Sequence, residues 1–182
     1  MTATVATQAG RAGAARDAGA TRDDASRLPA LGRKGGGWVA IQGALLVVAV
    51  TAGLAGAAWP PAASPWLAAA GILSALAGAG LMVGGSAGLG KQLTPFPRPI
   101  DDGTLRQDGV YGLVRHPMYG GALLLILGWA LLSSPLAIVP LGAAAVFLDA
   151  KRRREEAWLN EEFSGYADYR RTVRRQFIPF VW

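Results

Sequence analysis

The stretch "RHPMYGGALLLILGWALLSSPLAIVPLGAAAVFLDAKRRREE", residues 115–156, contains two uncharged runs that are separated by a turn and enclosed by charged ends. Ser134 is a favourable N-cap residue and Pro135 a favourable first residue of a helix, so one helix ends before this pair and another begins at it. The stretch therefore predicts a tight hairpin of two helices, near residues 117–132 and 135–154.

Both predicted helices are short for a membrane crossing. Each has about sixteen uncharged residues, or roughly 24 Å at the helical rise, whereas a hydrocarbon core is roughly 30 Å thick. We therefore expect their charged ends, which carry Arg115, His116 and residues 151–154, to lie at or slightly inside one membrane interface.

A second uncharged block covers residues 38–90. It divides at "WPPAASPW", residues 59–66, because three prolines cannot continue a helix and the tryptophans are typical interfacial anchors. Two spans of about twenty residues result, near 38–58 and 66–90. A soluble protein would need charge on the outer faces of such helices, so the sequence predicts an all-α polytopic membrane protein with about four transmembrane helices. Glycines at four-residue spacing on the second span predict close helix packing: Gly80, Gly84 and Gly88.

Basic residues lie on one side only of the predicted spans. Residues 1–37 carry six, the loop of residues 91–116 carries four Lys or Arg, and the tail from Lys151 carries eight, whereas residues 59–66 and 133–135 carry none. Because basic residues favour the cytoplasmic side, we predict an integral protein of the inner (plasma) membrane with both termini in the cytoplasm.

The chain is thus predicted to have three parts. Residues 1–37 are poor in large apolar side chains, which is typical of a disordered cytoplasmic tail; a signal peptide is the alternative, although its charged part would be unusually long. Residues 38–90 hold two transmembrane helices. Residues 91–182 hold a cytoplasmic loop, the hairpin and a C-terminal amphipathic helix, and should carry the chemistry.

Composition excludes several kinds of site. The chain has no cysteine and one histidine, so disulfides, thiolate–metal sites and histidine-based metal clusters are excluded. Nucleic-acid binding is not predicted, because the basic residues border membrane spans. A transporter should have ionisable residues at mid-membrane depth, whereas the spans offer only Gly, Ser, Thr and Gln42. Polar groups gather at one interface, which favours an interfacial enzyme over a transporter or a non-catalytic scaffold.

Arg115, His116 and Pro117 mark the mouth of the third helix. Pro117 suits the first helical position, and the unpaired N–H groups there favour an anion, which the two basic residues reinforce. A carboxylate or phosphate ligand is therefore predicted at this point. The alternative is that Arg115 is a positive-inside anchor and His116 a surface residue.

The hairpin brings Glu155 and Glu156 to about the depth of His116. A carboxylate there suits a ligand ammonium or ribose hydroxyls. The alternative is a solvated helical face with the i,i+4 pairs Lys151–Glu155 and Arg152–Glu156, which would stabilise the helix only slightly.

Aromatic residues concentrate in the same polar segments. They suit stacking on a purine or closure over a sulfonium, or else an interfacial aromatic belt, to which we assign Tyr166, Tyr169 and Trp158. The full set is Tyr111, Tyr119, Trp158, Phe163, Tyr166 and Tyr169. The final "RRQFIPFVW", residues 174–182, predicts a basic, aromatic strip on the anionic leaflet.

Two motifs at this separation carry a family resemblance. The first is "GVYGLVRHPMYGG", residues 109–121, and the second is "EEAWLNEEFSGYADYRRTV", residues 155–173, on the far side of the hairpin. Together they resemble the isoprenylcysteine carboxyl methyltransferase-like family, which is itself similar to the phospholipid methyltransferases. The resemblance covers about residues 85–180.

The resemblance implies that S-adenosylmethionine binds on the cytoplasmic side, enclosed by these segments. With the helix mouth and the acidic pair included, the predicted cofactor-binding residues are Gly103, Thr104, Leu105, Arg106, Tyr111, Arg115, His116, Pro117, Met118, Tyr119, Glu155 and Glu156. The isoprenylcysteine enzymes place an acceptor-facing arginine where this chain has Lys151, so Lys151 and the nearby Arg154 are predicted to bind the substrate.

The implied function is methyl transfer from S-adenosylmethionine to a membrane-associated or apolar acceptor, which can be a carboxylate, a thiol or an amine. Such an enzyme needs alignment and a dry pocket, so no catalytic acid or base is assigned. Acceptors in keeping with this are a prenylated protein end, a phospholipid amine or another apolar small molecule. The alternatives are a membrane NADPH-dependent reductase of similar C-terminal fold, or a non-catalytic membrane protein.

Overall fold

The computed structural model of the protein describes residues 29, 31–32, 35–98 and 103–181. The described part is all-α, as the sequence predicts. Most of the predicted disordered tail, residues 1–37, lies outside the described residues. The helices are α1 (Gly36–Ala55), α2 (Ser64–Leu89), α3 (Pro117–Ser133), α4 (Ile138–Glu162) and α5 (Tyr166–Thr172), with short 3-10 turns at Gly90–Gln92, Gly109–Gly112 and Pro135–Ala137.

Helices α1 and α2 have the length and composition of membrane spans. The mean hydropathy is 2.0 for Gly36–Ala55 and 1.9 for Ser64–Gln92. Large apolar side chains point outward from both helices, such as Leu54, Leu73 and Val83, which are about 70% exposed. Helices that are apolar all round suit lipid contact. Helix α3 is also apolar but has 17 residues, and the second half of α4 is charged.

A row of buried glycines joins α2 to α3. Gly71, Gly78 and Gly85 lie seven residues apart on one face of α2. A β-carbon built on Gly78 would lie 2.7 Å from the carbonyl oxygen of Gly121, and one built on Gly71 would lie 3.0 Å from that of Gly128. Only glycine allows backbones to approach this closely, and the order of the contacts makes the two helices antiparallel.

The four-residue glycine spacing that the sequence suggested does not describe this contact. Gly80 has no atom of another element within 4 Å of the position its β-carbon would take, whereas Gly84 and Gly88 lie against Val110 and Tyr111. The helix contact repeats every seven residues, because two turns return the same face of a helix to its neighbour.

The predicted turn between the hairpin helices is confirmed. The Ser134 hydroxyl accepts a hydrogen bond of 3.2 Å from the backbone N–H of Leu136, and Pro135 opens the 3-10 turn Pro135–Ala137 that leads into α4. Helix α4 then continues to Glu162, so the charged residues after Asp149 extend along the same helix. This returns the acidic pair toward the start of α3.

The C-terminal segment, residues 173–181, crosses the start of α3. Its backbone passes directly over Gly120, where a β-carbon would overlap the carbonyl of Phe177. Phe177 is fully buried and packs among Leu123, Ile126 and Leu148. The prediction of a strip lying on the leaflet is therefore wrong for this residue, because its ring fills the space between helices.

Candidate functional site

A cavity of about 410 Å³ opens between α1, the loop after α2, the start of α3, and helices α4 and α5. Its volume is typical of small-molecule sites in proteins. Arg154 and Glu156, two of the fourteen predicted site residues, do not line it. The other twelve do: Gly103, Thr104, Leu105, Arg106, Tyr111, Arg115, His116, Pro117, Met118, Tyr119, Lys151 and Glu155.

Arg115 and His116 are fixed by the C-terminal segment. The backbone N–H of Arg115 donates to the carbonyl of Arg175 (3.1 Å), and that of His116 donates to the carbonyl of Gln176 (2.8 Å). The guanidinium of Arg115 also donates to the carbonyl of Val173 (2.7 Å). Both side chains are buried, so the alternative of a surface histidine is wrong, and Arg115 lies within the protein rather than on its surface.

Glu156 joins four basic side chains into one buried cluster. Its Oε1 atom lies 2.9 Å from Nε of Arg115 and 3.1 Å from Nε2 of His116. Its Oε2 atom lies 3.3 Å from Arg152 and 3.6 Å from Arg170. Each carboxylate oxygen therefore has two charged or polar partners, as a buried ion needs.

The pKa of Glu156 reflects this cluster. Burial raises the pKa, but the hydrogen bond with His116 and the charges of His116, Arg115 and Arg152 outweigh it. The pKa of Glu156 therefore lies well below its ordinary value. Glu156 remains ionised and holds Arg115 and His116 in place from behind the cavity wall.

The side chain of Glu155 is more exposed than that of Glu156. Its side chain is 24% exposed, against 5% for Glu156, and it lines the cavity. Its Oε2 atom accepts a hydrogen bond from the Tyr119 hydroxyl and lies 3.9 Å from Nδ1 of His116. One carboxylate is thus committed to the protein, while the other faces the cavity. The described residues contain no group of three or more His, Cys, Asp or Glu side chains placed to hold a metal ion.

Lys151 is buried at the α1–α4 contact, only 2% exposed. Its ammonium donates to Oε1 of Gln42 (2.6 Å) and lies 5.1 Å from the centre of the Tyr119 ring. The alternative of a fully solvated face for residues 151–156 is therefore wrong for Lys151, although the predicted Arg152–Glu156 pair is present.

A second cavity of about 260 Å³ adjoins the first between the apolar parts of α1, α3 and α4. Both cavities share part of their walls, namely Gln42, Leu46, Met82 and Ala122. The remaining walls of the second cavity are apolar, including Ala144 and Leu148. A polar chamber at the hairpin ends thus borders an apolar chamber among the helices.

The loop before α3 is attached to the 3-10 turn that follows α2. The backbone N–H of Thr104 donates to Oε1 of Gln92 (2.6 Å), and Nε2 of Gln92 donates to the Thr104 hydroxyl (3.1 Å). These bonds hold residues 103–106 against the cavity.

Tyrosines form the cavity wall near α5. The hydroxyl of Tyr111 donates to the carbonyl of Gly85 (3.3 Å), and that of Tyr169 donates to the carbonyl of Tyr111 (2.7 Å). Burial raises the pKa values of Tyr111 and Tyr169 well above the ordinary value for tyrosine. Tyr166 and Tyr169 are both buried, so their assignment to an interfacial belt is wrong. Trp158 is also buried, beneath the guanidinium of Arg154 at 4.5 Å from its ring centre.

The sequence profile of the phospholipid methyltransferase family matches residues 66–165, more than half of the chain. The chain belongs to the phospholipid methyltransferase family. It is therefore a membrane methyltransferase. Neither the curated proteins nor the solved structures include a match to this chain.

The family match covers α2 from its third residue, the loop, the hairpin and all of α4. In this methyltransferase, both acidic residues and the whole helix mouth lie inside the matched region. Helix α1 and the C-terminal segment lie outside it, although the first supplies Gln42 and the second fixes Arg115.

Sequence reasoning missed some residues of the methyltransferase cavity wall. Gln42 was noticed only as a polar residue within a span, and its unusual place in an uncharged block was the signal that could have found it. Gln92 gave no comparable signal, because its role depends on the loop before α3 folding back onto it. Tyr166 was noticed among the aromatic residues but assigned to an interfacial belt.

Proposed function

We propose that the methyltransferase uses S-adenosylmethionine as methyl donor and that this cofactor binds in the cavity of about 410 Å³. The observation that carries the proposal is the convergence of a basic helix mouth and a partly exposed carboxylate on one cavity. A cofactor with a carboxylate and an ammonium at one end needs both kinds of partner. The volume and the donor set fit such a molecule.

The proposal gives the residues separate roles. Arg115 and His116 favour the cofactor carboxylate at the mouth of α3, and Glu155 receives its ammonium. Glu156 positions the two basic residues without touching the ligand. Residues 103–106 and Tyr111 enclose the remainder of the cofactor.

The chemistry needs little from the protein besides alignment. When bound, the cofactor supplies an electrophilic methyl group on a sulfonium, and its leaving group is a neutral thioether. The chain contributes orientation and exclusion of water. No general acid is needed, and none of the cavity residues is assigned one.

We propose that the acceptor is an apolar or lipid-like molecule whose chain lies in the second cavity. Support comes from the apolar walls of that cavity and from its junction with the polar chamber at Gln42. Lys151, buried at this junction, favours an acceptor group that is anionic or neutral. Arg154 lies outside the cavity wall, so the proposal gives the acceptor-binding role to Lys151 alone.

The proposed membrane arrangement has four spans, α1 to α4, with the cavity at the cytoplasmic interface of the inner membrane. Basic residues concentrated at that side support it. The proposed division of the chain stays as a tail of residues 1–37, two N-terminal spans in 38–90 and the cofactor-binding region in 91–182.

Thermal stabilisation of the protein in detergent tests the donor. S-adenosylhomocysteine should raise the melting temperature, whereas NADPH should not. Stabilisation by NADPH alone would support a reductase instead, and stabilisation by neither would contradict the proposed donor.

The Glu155→Gln variant tests the site within the same assay. We expect it to weaken S-adenosylhomocysteine binding by roughly tenfold or more, because hydrogen bonds to charged groups are the strong ones. Glu161→Gln, at an exposed position on the same helix, is the matched control and should bind as the unmodified protein does. If both variants bind S-adenosylhomocysteine equally well, Glu155 does not contact the cofactor.

A transfer assay tests the acceptor. Membranes containing the protein should incorporate labelled methyl groups from S-adenosylmethionine into a lipid-extractable product. Label in a water-soluble product alone would contradict the proposed class of acceptor.

A further inference from the structure

Tyr166, the first residue of α5, has a buried hydroxyl that makes no hydrogen bond within the described residues. The side chain is 1% exposed and lines the cavity. Its hydroxyl oxygen is buried and has no hydrogen-bond partner in the described part of the chain. The hydroxyls of Tyr111 and Tyr169, which also line the cavity, both donate to backbone carbonyls.

A buried hydroxyl without a partner costs stability, because it has lost its hydrogen bonds to water. Phenylalanine would fill nearly the same space without that cost. The hydroxyl of Tyr166 therefore does not contribute to folding of the ligand-free protein. A ligand bound in the cavity that this side chain lines would supply the missing partner.

The surroundings of Tyr166 indicate which part of a ligand lies there. Leu105, Leu159 and Phe163 pack against it, and all three also line the cavity. These apolar side chains beside one hydroxyl suit a flat ring that has a hydrogen-bonding edge, and the charges of Glu156, Arg115 and Glu155 also act on this hydroxyl. Burial raises the pKa of Tyr166 well above its ordinary value, so the hydroxyl keeps its proton and acts as a donor.

We propose that the Tyr166 hydroxyl donates a hydrogen bond to the nucleoside part of the bound cofactor, and that this contact contributes to its affinity. The inference rests on the proposed use of S-adenosylmethionine. It assigns a binding role to the C-terminal helix, which lies outside the region matched by the family profile.

Two single-hydroxyl deletions test the proposal, Tyr166→Phe and the matched control Tyr169→Phe. Melting temperatures without ligand come first. Tyr166→Phe should melt at the same temperature as the unmodified protein or higher, because no bond is lost. Tyr169→Phe should melt roughly 3 °C lower, because it loses the bond to the carbonyl of Tyr111.

Affinities for two probes come second. Tyr166→Phe should bind S-adenosylhomocysteine roughly fivefold more weakly than the unmodified protein. It should bind 5′-methylthioadenosine, which has the nucleoside but lacks the amino-acid end, more weakly by the same factor.

Three results would overturn the inference. Unchanged affinity of Tyr166→Phe for S-adenosylhomocysteine would show that the hydroxyl does not contact the cofactor. Weaker binding of S-adenosylhomocysteine but not of 5′-methylthioadenosine would move the contact to the amino-acid end. A fall in ligand-free melting temperature equal to that of Tyr169→Phe would give the hydroxyl a structural role. If the unmodified protein itself does not bind S-adenosylhomocysteine, the proposed function fails, and the inference fails with it.

Discussion

At the residue scale, the site depends on the different roles of two adjacent acids. Glu155 and Glu156 follow each other on α4, and successive helical residues point about 100° apart. Glu156 therefore faces the basic cluster of Arg115 and His116 while Glu155 faces the cavity. A dipeptide that looks redundant in the sequence supplies one structural ion and one exposed carboxylate.

Stability should depend on pH through Glu156. Because folding lowers the pKa of Glu156 below its ordinary 4.5, the unfolded chain takes up the proton first as the pH falls. The stability from this carboxylate is thus complete above about pH 5.5 and declines as the pH falls through 4.5 and below. Glu156→Gln should lower the free energy of unfolding at pH 7 by about 3 kcal/mol, because it leaves buried arginines uncompensated.

Unfolding measured in detergent between pH 7 and pH 4 checks this prediction. Relative to the unmodified protein, Glu156→Gln should lose less stability over that range. Glu161→Gln, whose side chain is exposed, should follow the unmodified protein. If Glu156→Gln instead loses as much unfolding free energy between pH 7 and pH 4 as the unmodified protein does, the carboxylate of Glu156 is not responsible for the pH dependence.

At the element scale, the contact between α2 and α3 positions the helix mouth. The glycine row ends at Gly85, where a β-carbon would lie 2.9 Å from Cγ of Met118 and 3.2 Å from Cγ of Pro117. The first turn of α3 is thereby held against α2. The C-terminal segment closes over the other side of this turn at Gly120.

Gly78→Ala should disrupt this contact. The new β-carbon would lie 2.7 Å from the carbonyl of Gly121 and 2.9 Å from the backbone nitrogen of Leu125, and backbone atoms cannot rotate away as side chains can. We expect a loss of about 1–3 kcal/mol in stability, measured as a lower melting temperature in detergent.

Gly80→Ala is the matched control on the same helix. Nothing from another element lies near its β-carbon position, and alanine favours helix over glycine. Its melting temperature should be unchanged or slightly higher. Equal destabilisation by the two variants would mean that the glycine row is not the packing surface.

At the scale of the whole molecule, the proposed function uses two adjoining cavities, one for a polar reactant and one for an apolar reactant. The polar chamber lies at the charged end of the hairpin, and the apolar one lies among the helices. Their shared wall at Gln42 and Ala122 is the place where the two reactants would meet.

Ala144→Leu should reduce methyl transfer to the acceptor without weakening cofactor binding. Ala144 is buried and lines only the apolar cavity, so a larger side chain there fills space without touching the polar chamber. We expect methyl incorporation into lipid-extractable products to fall severalfold, while S-adenosylhomocysteine binding stays within about twofold. Both are measured on protein in lipid vesicles.

Ala143→Leu, one residue earlier and exposed, is the control and should leave both measurements unchanged. A loss of cofactor binding in Ala144→Leu would mean that the two cavities are not independent. Unchanged methyl incorporation would mean that the acceptor does not use the apolar cavity.

The sequence by itself determined the features that depend on neighbours along the chain. The turn at Ser134 and Pro135, the start of α3 at Pro117 and the return of the acidic pair to His116 all follow from helix capping and from the length of two uncharged runs. These are short-range effects, in which a residue acts on a partner a few positions away. Most of the other predicted site residues came from the family resemblance, and twelve of the fourteen line one cavity.

Only the tertiary structure decided which face of each helix is used. The seven-residue glycine row, the separate roles of Glu155 and Glu156, and the burial of Lys151, Tyr166 and Phe177 depend on how helices rotate and on which distant segment covers them. A rotation by one residue, about 100°, exchanges a buried side chain for an exposed one. The uncharged helices have apolar residues on every face, so the sequence holds no pattern that selects that rotation. Close packing of the assembled helices selects it.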